Sequence, residues 1–388
     1  MRLEELGGTV SVNPYHASTL IRVLFDPSDI VAISSKRAVR TTGSNVLTQG
    51  LLASDLVQSL EAESGRDLLY SLCTEPDMMD TYFGLAPIKP DHVQNIHRRV
   101  RTEDVENVIM LYADLDVKDG AFVSQAEAMS FIGSLPFKPN AVVSSGSGGL
   151  HVYWKVRGFD GSRGLGIHLG KDFLIRWWAY LRDHAGGRKI DRLIDTTRMS
   201  RLPGTVRWPR ADSGEGAAPV ELLHASRGEE IFAADLMVTT ETAWRNLQNE
   251  RASVRRRDEQ ITVATEEIAK AATGGRWSKL LAVAQMEDWV NETIPWSSIL
   301  EPVGWTYLRE DGQGRAEWAR PGRMEKSATV DWPDSPHVMS LLSTSEDTGL
   351  ADLLDAEIVL TKFRVMLRLN FADDSQAAVS WVLTQMGS

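Results

Sequence analysis

The residues with the clearest capacity for chemistry are two aspartates at the end of an apolar run. VIMLYADLDV (Val108–Val117) carries Asp114 and Asp116. In a β-strand, residues two apart project to the same face, so these carboxylates stand side by side with Leu115 turned into the opposite layer. Two adjacent carboxylates repel each other and are costly to bury. A divalent cation removes that conflict. Mg²⁺ characteristically takes one or two carboxylates and completes its shell with phosphates and water. The competing reading is a strand end entering the turn-like VKDG.

Two further segments carry candidate groups. AVVSSGSGGLHVYWKV (Ala141–Val156) predicts a hairpin with a Ser/Gly turn. In its returning strand His151, Tyr153 and Lys155 share the polar face, opposite Leu150, Val152, Trp154 and Val156. The small residues Ser145, Ser147, Gly148 and Gly149 let a triphosphate approach the backbone N–H groups, and His151 can donate to a phosphate oxygen. KIDRLIDTTRMSRLPGTVRW holds Asp191 and Asp195, both directly after an Ile, and either can supply a third carboxylate. Arg198 and Arg201 follow, and the arginine fork suits phosphate. Taken singly, each of these segments also reads as ordinary structure: a turn, a satisfied histidine, a surface ion-pair network.

Strands and helices must position these groups. DIVAI (Asp29–Ile33), the carboxylate run and both arms of the hairpin read as strands. LASDLVQSLEAESG and FLIRWWAYLRDHAGG read as helices, the second stopped at Gly186–Gly187. From about residue 225 the chain turns polar and helical, with a break at Gly274–Gly275, and a Trp-rich segment follows.

The chain has 388 residues, 43% hydrophobic and 24% charged, which fits a globular protein of more than one domain. No apolar run reaches the roughly 20 residues of a membrane span, and residues 1–15 lack the order of a secretory leader. The single cysteine, Cys73, excludes an internal disulfide and a multi-cysteine zinc site. A cytoplasmic location is expected. The net charge of −11 excludes a general nucleic-acid-coating protein. Within it lies a basic island: residues 182–210 hold eight Lys/Arg against three Asp.

The order of the three segments resembles the three motifs of the archaeo-eukaryotic primase superfamily, especially its phage and plasmid primase-polymerases. The matching stretches are Tyr112-Ala-Asp114-Leu-Asp116, then Ser145-Gly-Ser-Gly-Gly-Leu-His151-Val-Tyr-Trp154, then Ile194-Asp195-Thr-Thr-Arg198-Met-Ser-Arg201-Leu-Pro-Gly-Thr205. Tyr82-Phe-Gly-Leu-Ala86 and His97-Arg-Arg-Val-Arg101 are similar to that family as well. The resemblance covers roughly residues 20–215. Relatives often carry Asn and Lys after Pro-Gly-Thr, where this chain has Val206-Arg207-Trp208-Pro209.

The resemblance implies an α+β primase-polymerase core with an RRM-like antiparallel sheet; the residue pattern divides the chain into that core (1–222), a helical connector (223–276) and a smaller, mainly helical accessory domain (277–388) with a hairpin near Asp311–Gly314. The resemblance also implies nucleotidyl transfer with two Mg²⁺ or Mn²⁺ ions held by Asp114, Asp116 and Asp195, with Asp191 as the substitute, and no zinc. His151, the Ser145–Gly149 turn, Arg198 and Arg201 would bind the nucleotide; Arg98, Arg99, Arg101, Arg207 and Arg210 would contact DNA. Trp296-Ser-Ser-Ile-Leu-Glu-Pro302, Gly304-Trp305 and Glu317-Trp-Ala-Arg-Pro-Gly322 are similar to the region that follows phage primase cores. Implied partners are single-stranded DNA, dNTP or NTP, and a replicative helicase in cis or trans; the chain itself has no P-loop. If phage-encoded, the setting is the bacterial host cytoplasm. The rival from another class is a non-catalytic single-stranded-DNA-binding replication initiator; a metal-dependent nuclease is the third reading.

Overall fold

In the computed structural model, the described residues are 11–37, 46–74, 79–90, 100–208, 216–272, 279–324, 326–342 and 348–387. They form two compact units, Met1–Trp244 and Arg245–Ser388. The division falls inside one 40-residue helix, α6 (Ala233–Ala272). β10 (Glu221–Ala225), β11 (Ile231–Phe232) and the first turns of α6 belong to the first unit, and the rest of α6 to the second.

The first unit is α+β with two antiparallel sheets. One has the order β2-β1-β3-β7, from β2 (Val46–Leu52), β1 (Ile30–Arg37), β3 (Met79–Gly84) and β7 (Met199–Arg201). The other is built around β6 (Leu150–Arg157). Here β4 (Met110–Leu115) lies on one side, β5 (Ala141–Ser144) on the other and β10 outside β5, all antiparallel, while the short β11 pairs parallel to the end of β6. The period-two pattern of β6 decides how this sheet is used. Leu150, Val152, Trp154 and Val156 are all buried. Trp154 meets Trp177 of α5 (Ile167–His184) edge-on at 4.9 Å between centroids. The other face looks toward the first sheet, where Phe83 of β3 lies 5.8 Å from Tyr153. Tyr153 is thus in the core; sharing the polar face of the strand with His151 did not place it at the surface. The helix α5 is followed by Gly186 and Gly187, both at positive φ, where a side chain would be strained.

The second unit contains more strand than its sequence suggests. Besides α7 (Lys279–Thr293), α8 (Trp296–Leu300), α9 (Ala351–Asp355), α10 (Lys362–Phe371) and α11 (Ser375–Met386), it holds a four-stranded antiparallel sheet. Its strands, in spatial order, are β12 (Thr306–Glu310), β13 (Ala316–Ala319), β14 (Ala328–Val330) and β15 (Ser340–Leu341). The expected hairpin is the first turn of this sheet. Trp296, Trp305 and Trp318 lie in the unit's core, with Ile261 and Ile268 of α6 packed against it. Trp318 is therefore unavailable for stacking on a base. Among the described residues no helix is long and apolar enough to cross a membrane.

Candidate active site

Strand register builds the site from the bottom. Asp114 of β4 is directly opposite His151 of β6, and Tyr112 is opposite Tyr153. Directly opposed residues share a sheet face, so all four project toward the first sheet. They line a cavity of about 210 Å³ with Tyr82, Arg198, Ser200 and Arg201. A second cavity of about 290 Å³ shares Tyr82, Arg198 and Met199 with the first and adds Ser34, Lys36, Val100, Asp195 and Thr197.

The segment between α5 and β7 forms the opposite wall. It has no regular structure and is pinned by side chains from the sheet. Tyr112 donates its hydroxyl to the Asp195 carbonyl, and Ser200 lies 2.9 Å from His151 Nδ1. Asp80 of β3 holds the far end, accepting from the Trp208 amide at 3.0 Å and from the Tyr82 hydroxyl at 3.2 Å. Arg201 lies 3.9 Å from Asp80 and over the Tyr82 ring, and its buried Nε has no hydrogen-bond acceptor. An orphaned buried guanidinium nitrogen at a cavity wall is a place for an anionic group.

The electrostatics divide by sign. Burial pushes the Asp114 carboxyl up, and Asp116 adds to the push; Arg198, Arg201 and Lys118 oppose it, and the result is about 6. Burial likewise pushes His151 down, helped by Arg201 and Arg198, to about 3, so its ring is neutral near pH 7. Asp116 is paired with Lys118.

The third carboxylate has two candidates, in different surroundings. Asp195 is exposed, and its carboxylate turns back on Thr197, accepting from the amide at 3.1 Å and the hydroxyl at 2.7 Å. Asp191 is half-buried, its carboxyl held up first by burial and then by Asp114 and Asp116, against Lys118 and Arg198. Asp191 therefore lies in the field of the Asp114/Asp116 pair, while Asp195 lines the second cavity. Among the described residues no group of three His, Cys, Asp or Glu side chains is already placed to hold a metal ion.

The Ser/Gly turn sits against the carboxylate strand. Gly146 and Gly148 adopt positive φ, and Ser145 closes the turn onto the Gly149 carbonyl at 3.0 Å, with its hydroxyl 2.8 Å from Ser147. A Cβ at Gly149 would lie 3.0 Å from the Leu115 carbonyl and 3.3 Å from Asp116 Cα. Gly149→Ala is expected to destabilise the first unit by about 1–3 kcal/mol through overpacking and to displace Asp116. Thermal unfolding and a metal-titration assay read the two effects. Gly146 packs the same turn against Arg207, whose Cβ would be 3.0 Å from an added methyl. Of the remaining cations, Arg101 is exposed and paired with Glu103; Arg98, Arg99 and Arg210 lie outside the described residues.

No family model matches the chain, and no curated protein matches it. The similar solved structures are primases. One is the AEP domain of the cyanophage S-2L primase-polymerase, 14% identical, with a TM-score of 0.40, covering 59% of this chain and 99% of that one. Another is primase RepB′, 14% identical with a TM-score of 0.39, covering 74% of this chain and 84% of that one. A third is the catalytic domain of RepB′ in complex with initiator DNA, 16% identical with a TM-score of 0.35, over 60% and 96% of the two chains.

Tyr82, Tyr112, Tyr153 and Ser200 stood within the matching stretches without a role of their own, and Asp80 lay outside them; all five are site residues. Their signal in the sequence was adjacency alone: each lies within three residues of, or one strand across from, a candidate group.

Proposed function

We propose that this chain is a metal-dependent DNA primase-polymerase, joining nucleotides on a single-stranded template. The observation that carries the reading is one cavity with the Asp114 carboxylate and a neutral His151 side by side on the sheet wall and Arg198 and Arg201 on the wall opposite. The order of these residues along the chain, which resembles the motifs of archaeo-eukaryotic primases, supports it.

The donor set fits Mg²⁺ or Mn²⁺. Asp114 and Asp116 crowd each other at a partly buried strand end, with a raised Asp114 carboxyl that a cation would return to its charged form. Asp114 and Asp116 would hold the ion, with Asp191 contributing as a third carboxylate. When bound, the cations would activate the attacking 3′-hydroxyl and neutralise the leaving pyrophosphate. Arg198 and Arg201 would bind the triphosphate through their forks, and the unpartnered Arg201 Nε marks where an oxygen is accepted. His151 would donate through Nε2, which lies 3.8 Å from Asp114 Oδ1. The O3′–Pα bond forms as the bond to pyrophosphate breaks.

Primer extension and de novo priming with Mg²⁺ or Mn²⁺ test this. Incorporation of labelled nucleotide is expected. Template binding with no incorporation under either metal would instead identify a replication initiator, and degradation of DNA without added nucleotides a nuclease.

For the second unit we propose a role in initiation. Arg309 of the edge strand β12 is largely exposed although paired with Glu317 at 2.9 Å, and Tyr307 beside it is also exposed. Because α6 helps form this unit's core, a truncation belongs at Trp244 rather than at residue 276. A 1–244 fragment is expected to lose about tenfold more de novo priming than primer extension, the size of one stacking contact. Equal loss of both would refute the role.

A further inference from the structure

Two hydroxyls stand behind His151. Ser200 Oγ lies 2.9 Å from Nδ1 of the ring, and Tyr153 Oη lies 2.6 Å from Ser200 Oγ. Tyr153 comes from β6 and Ser200 from β7, so the chain of bonds joins the two sheets across the candidate site. Tyr153 is 1% exposed and Ser200 7%. Among the described residues, Ser200 is the one hydrogen-bond partner of the Tyr153 hydroxyl.

That isolation sets the direction of the chain. A phenol and a serine hydroxyl each have one proton to donate, and a neutral imidazole has one N–H. If Nδ1–H donated to Ser200 and Ser200 donated to Tyr153, the Tyr153 proton would have no acceptor among the described residues. A buried unsatisfied donor costs on the order of a whole hydrogen bond. In the other direction Tyr153 donates to Ser200, Ser200 donates to Nδ1, and every proton has an acceptor. Nδ1 is then the accepting nitrogen, and the ring's own proton sits on Nε2. Nε2 is the nitrogen on the cavity side, near Asp114.

We propose that Tyr153 and Ser200 are positioning residues that hold His151 as its Nε2–H tautomer, so that its donor faces an oxygen of the nucleotide's phosphates. The inference rests on the reading of His151 as a phosphate donor, and it adds two residues that act through it. Rotation of the ring, or transfer of its proton to Nδ1, would turn a lone pair toward an anionic ligand and lose the contact.

Nitrogen-15 spectra of the full chain test it, with the His151 ring signals assigned by their loss in His151→Gln. In the wild type Nε2 is expected to be protonated and Nδ1 unprotonated. Tyr153→Phe removes only the donor at the head of the chain, and Ser200→Ala removes the link. Ser200→Ala should shift His151 toward the Nδ1–H form or a mixture and raise the nucleotide KM roughly five- to tenfold, with a smaller effect on kcat; Tyr153→Phe, in which Ser200 can still donate to Nδ1, should give a smaller change in the same direction. Ser200→Thr keeps the hydroxyl and should restore the tautomer. A wild-type ring protonated at Nδ1, or a tautomer unchanged in both Tyr153→Phe and Ser200→Ala, overturns the proposal. The spectra need no turnover. A tautomer that responds as expected in a protein that incorporates no nucleotide leaves the positioning intact and removes the polymerase reading.

Discussion

Asp114→Asn is expected to abolish nucleotide incorporation while making the metal-free protein harder to unfold. The opposite signs follow from one fact. In the folded chain, burial and Asp116 push the Asp114 carboxyl from 3.8 to about 6. The folded state therefore holds this proton more tightly than the unfolded state does. Stability contributed by the protonated form is full below about pH 4 and declines as pH rises through the window up to about 6. Near pH 7 the folded protein carries a desolvated charge that the unfolded chain keeps in water. The difference of about two pH units corresponds to about 3 kcal/mol at most, and coupling to Asp116 and partial exposure reduce it toward about 2 kcal/mol. Asn keeps the shape and removes the charge, so its melting temperature in chelator should rise by roughly 5 °C. Mg²⁺ or Mn²⁺ should then raise the melting temperature of the wild type through mass action and leave the Asn variant nearly unmoved. Incorporation should fall by at least about 10³-fold, because the charge that assembles the reacting groups is gone. An Asn variant that still synthesises DNA, or that melts below the wild type in chelator, would show that Asp114 is a structural residue.

The same stretch explains why part of the site was legible before any fold was known. Period-two spacing put Asp114 and Asp116 together, and put His151 on the face opposite Val152 and Trp154, because a strand leaves only two faces to choose from. The register that sets Asp114 against His151 then follows from hydrophobic burial: a slip of one residue would turn Trp154 out of the core. What the pattern does not give is which faces are covered. Tyr153 alternates with the polar set, yet the first sheet packs over it. Ser200 has no periodicity to mark it, and its importance arises from a partner 49 residues away. In the second unit the strands are two to five residues long, too short to show alternation, so the sheet was read as a single hairpin amid helices. The domain division was hidden for a different reason: α6 is one uninterrupted helix serving two cores, and no break in composition marks Trp244.

The segment from Asp191 to Asp195 is the least readable in the sequence, and it carries the second large expectation. Without a helix or strand, nothing in the spacing says which aspartate faces the site. The structure separates them by what each carboxylate touches. Asp195 accepts from the Thr197 amide and hydroxyl through Oδ1, a local turn that sets the approach of Arg198. Asn retains one such acceptor oxygen, so Asp195→Asn should keep most of the incorporation activity. Asp191 feels Asp114, Asp116 and Lys118, and its carboxyl is already raised by burial and by those two acids. With a cation and nucleotide present, the attraction of Asp191 for the bound charge would replace that repulsion. Asp191→Asn should therefore lower incorporation by on the order of 10²-fold or more and shift the metal-dependence curve to higher concentration. Its effect on melting in chelator should be slight and stabilising, as for Asp114, since a raised carboxyl is relieved in both cases. Single-turnover incorporation across a Mn²⁺ titration distinguishes the two aspartates. A large loss in Asp195→Asn with Asp191→Asn near wild type would assign the third carboxylate to Asp195, and would require the 191–198 segment to rearrange when metal and nucleotide bind.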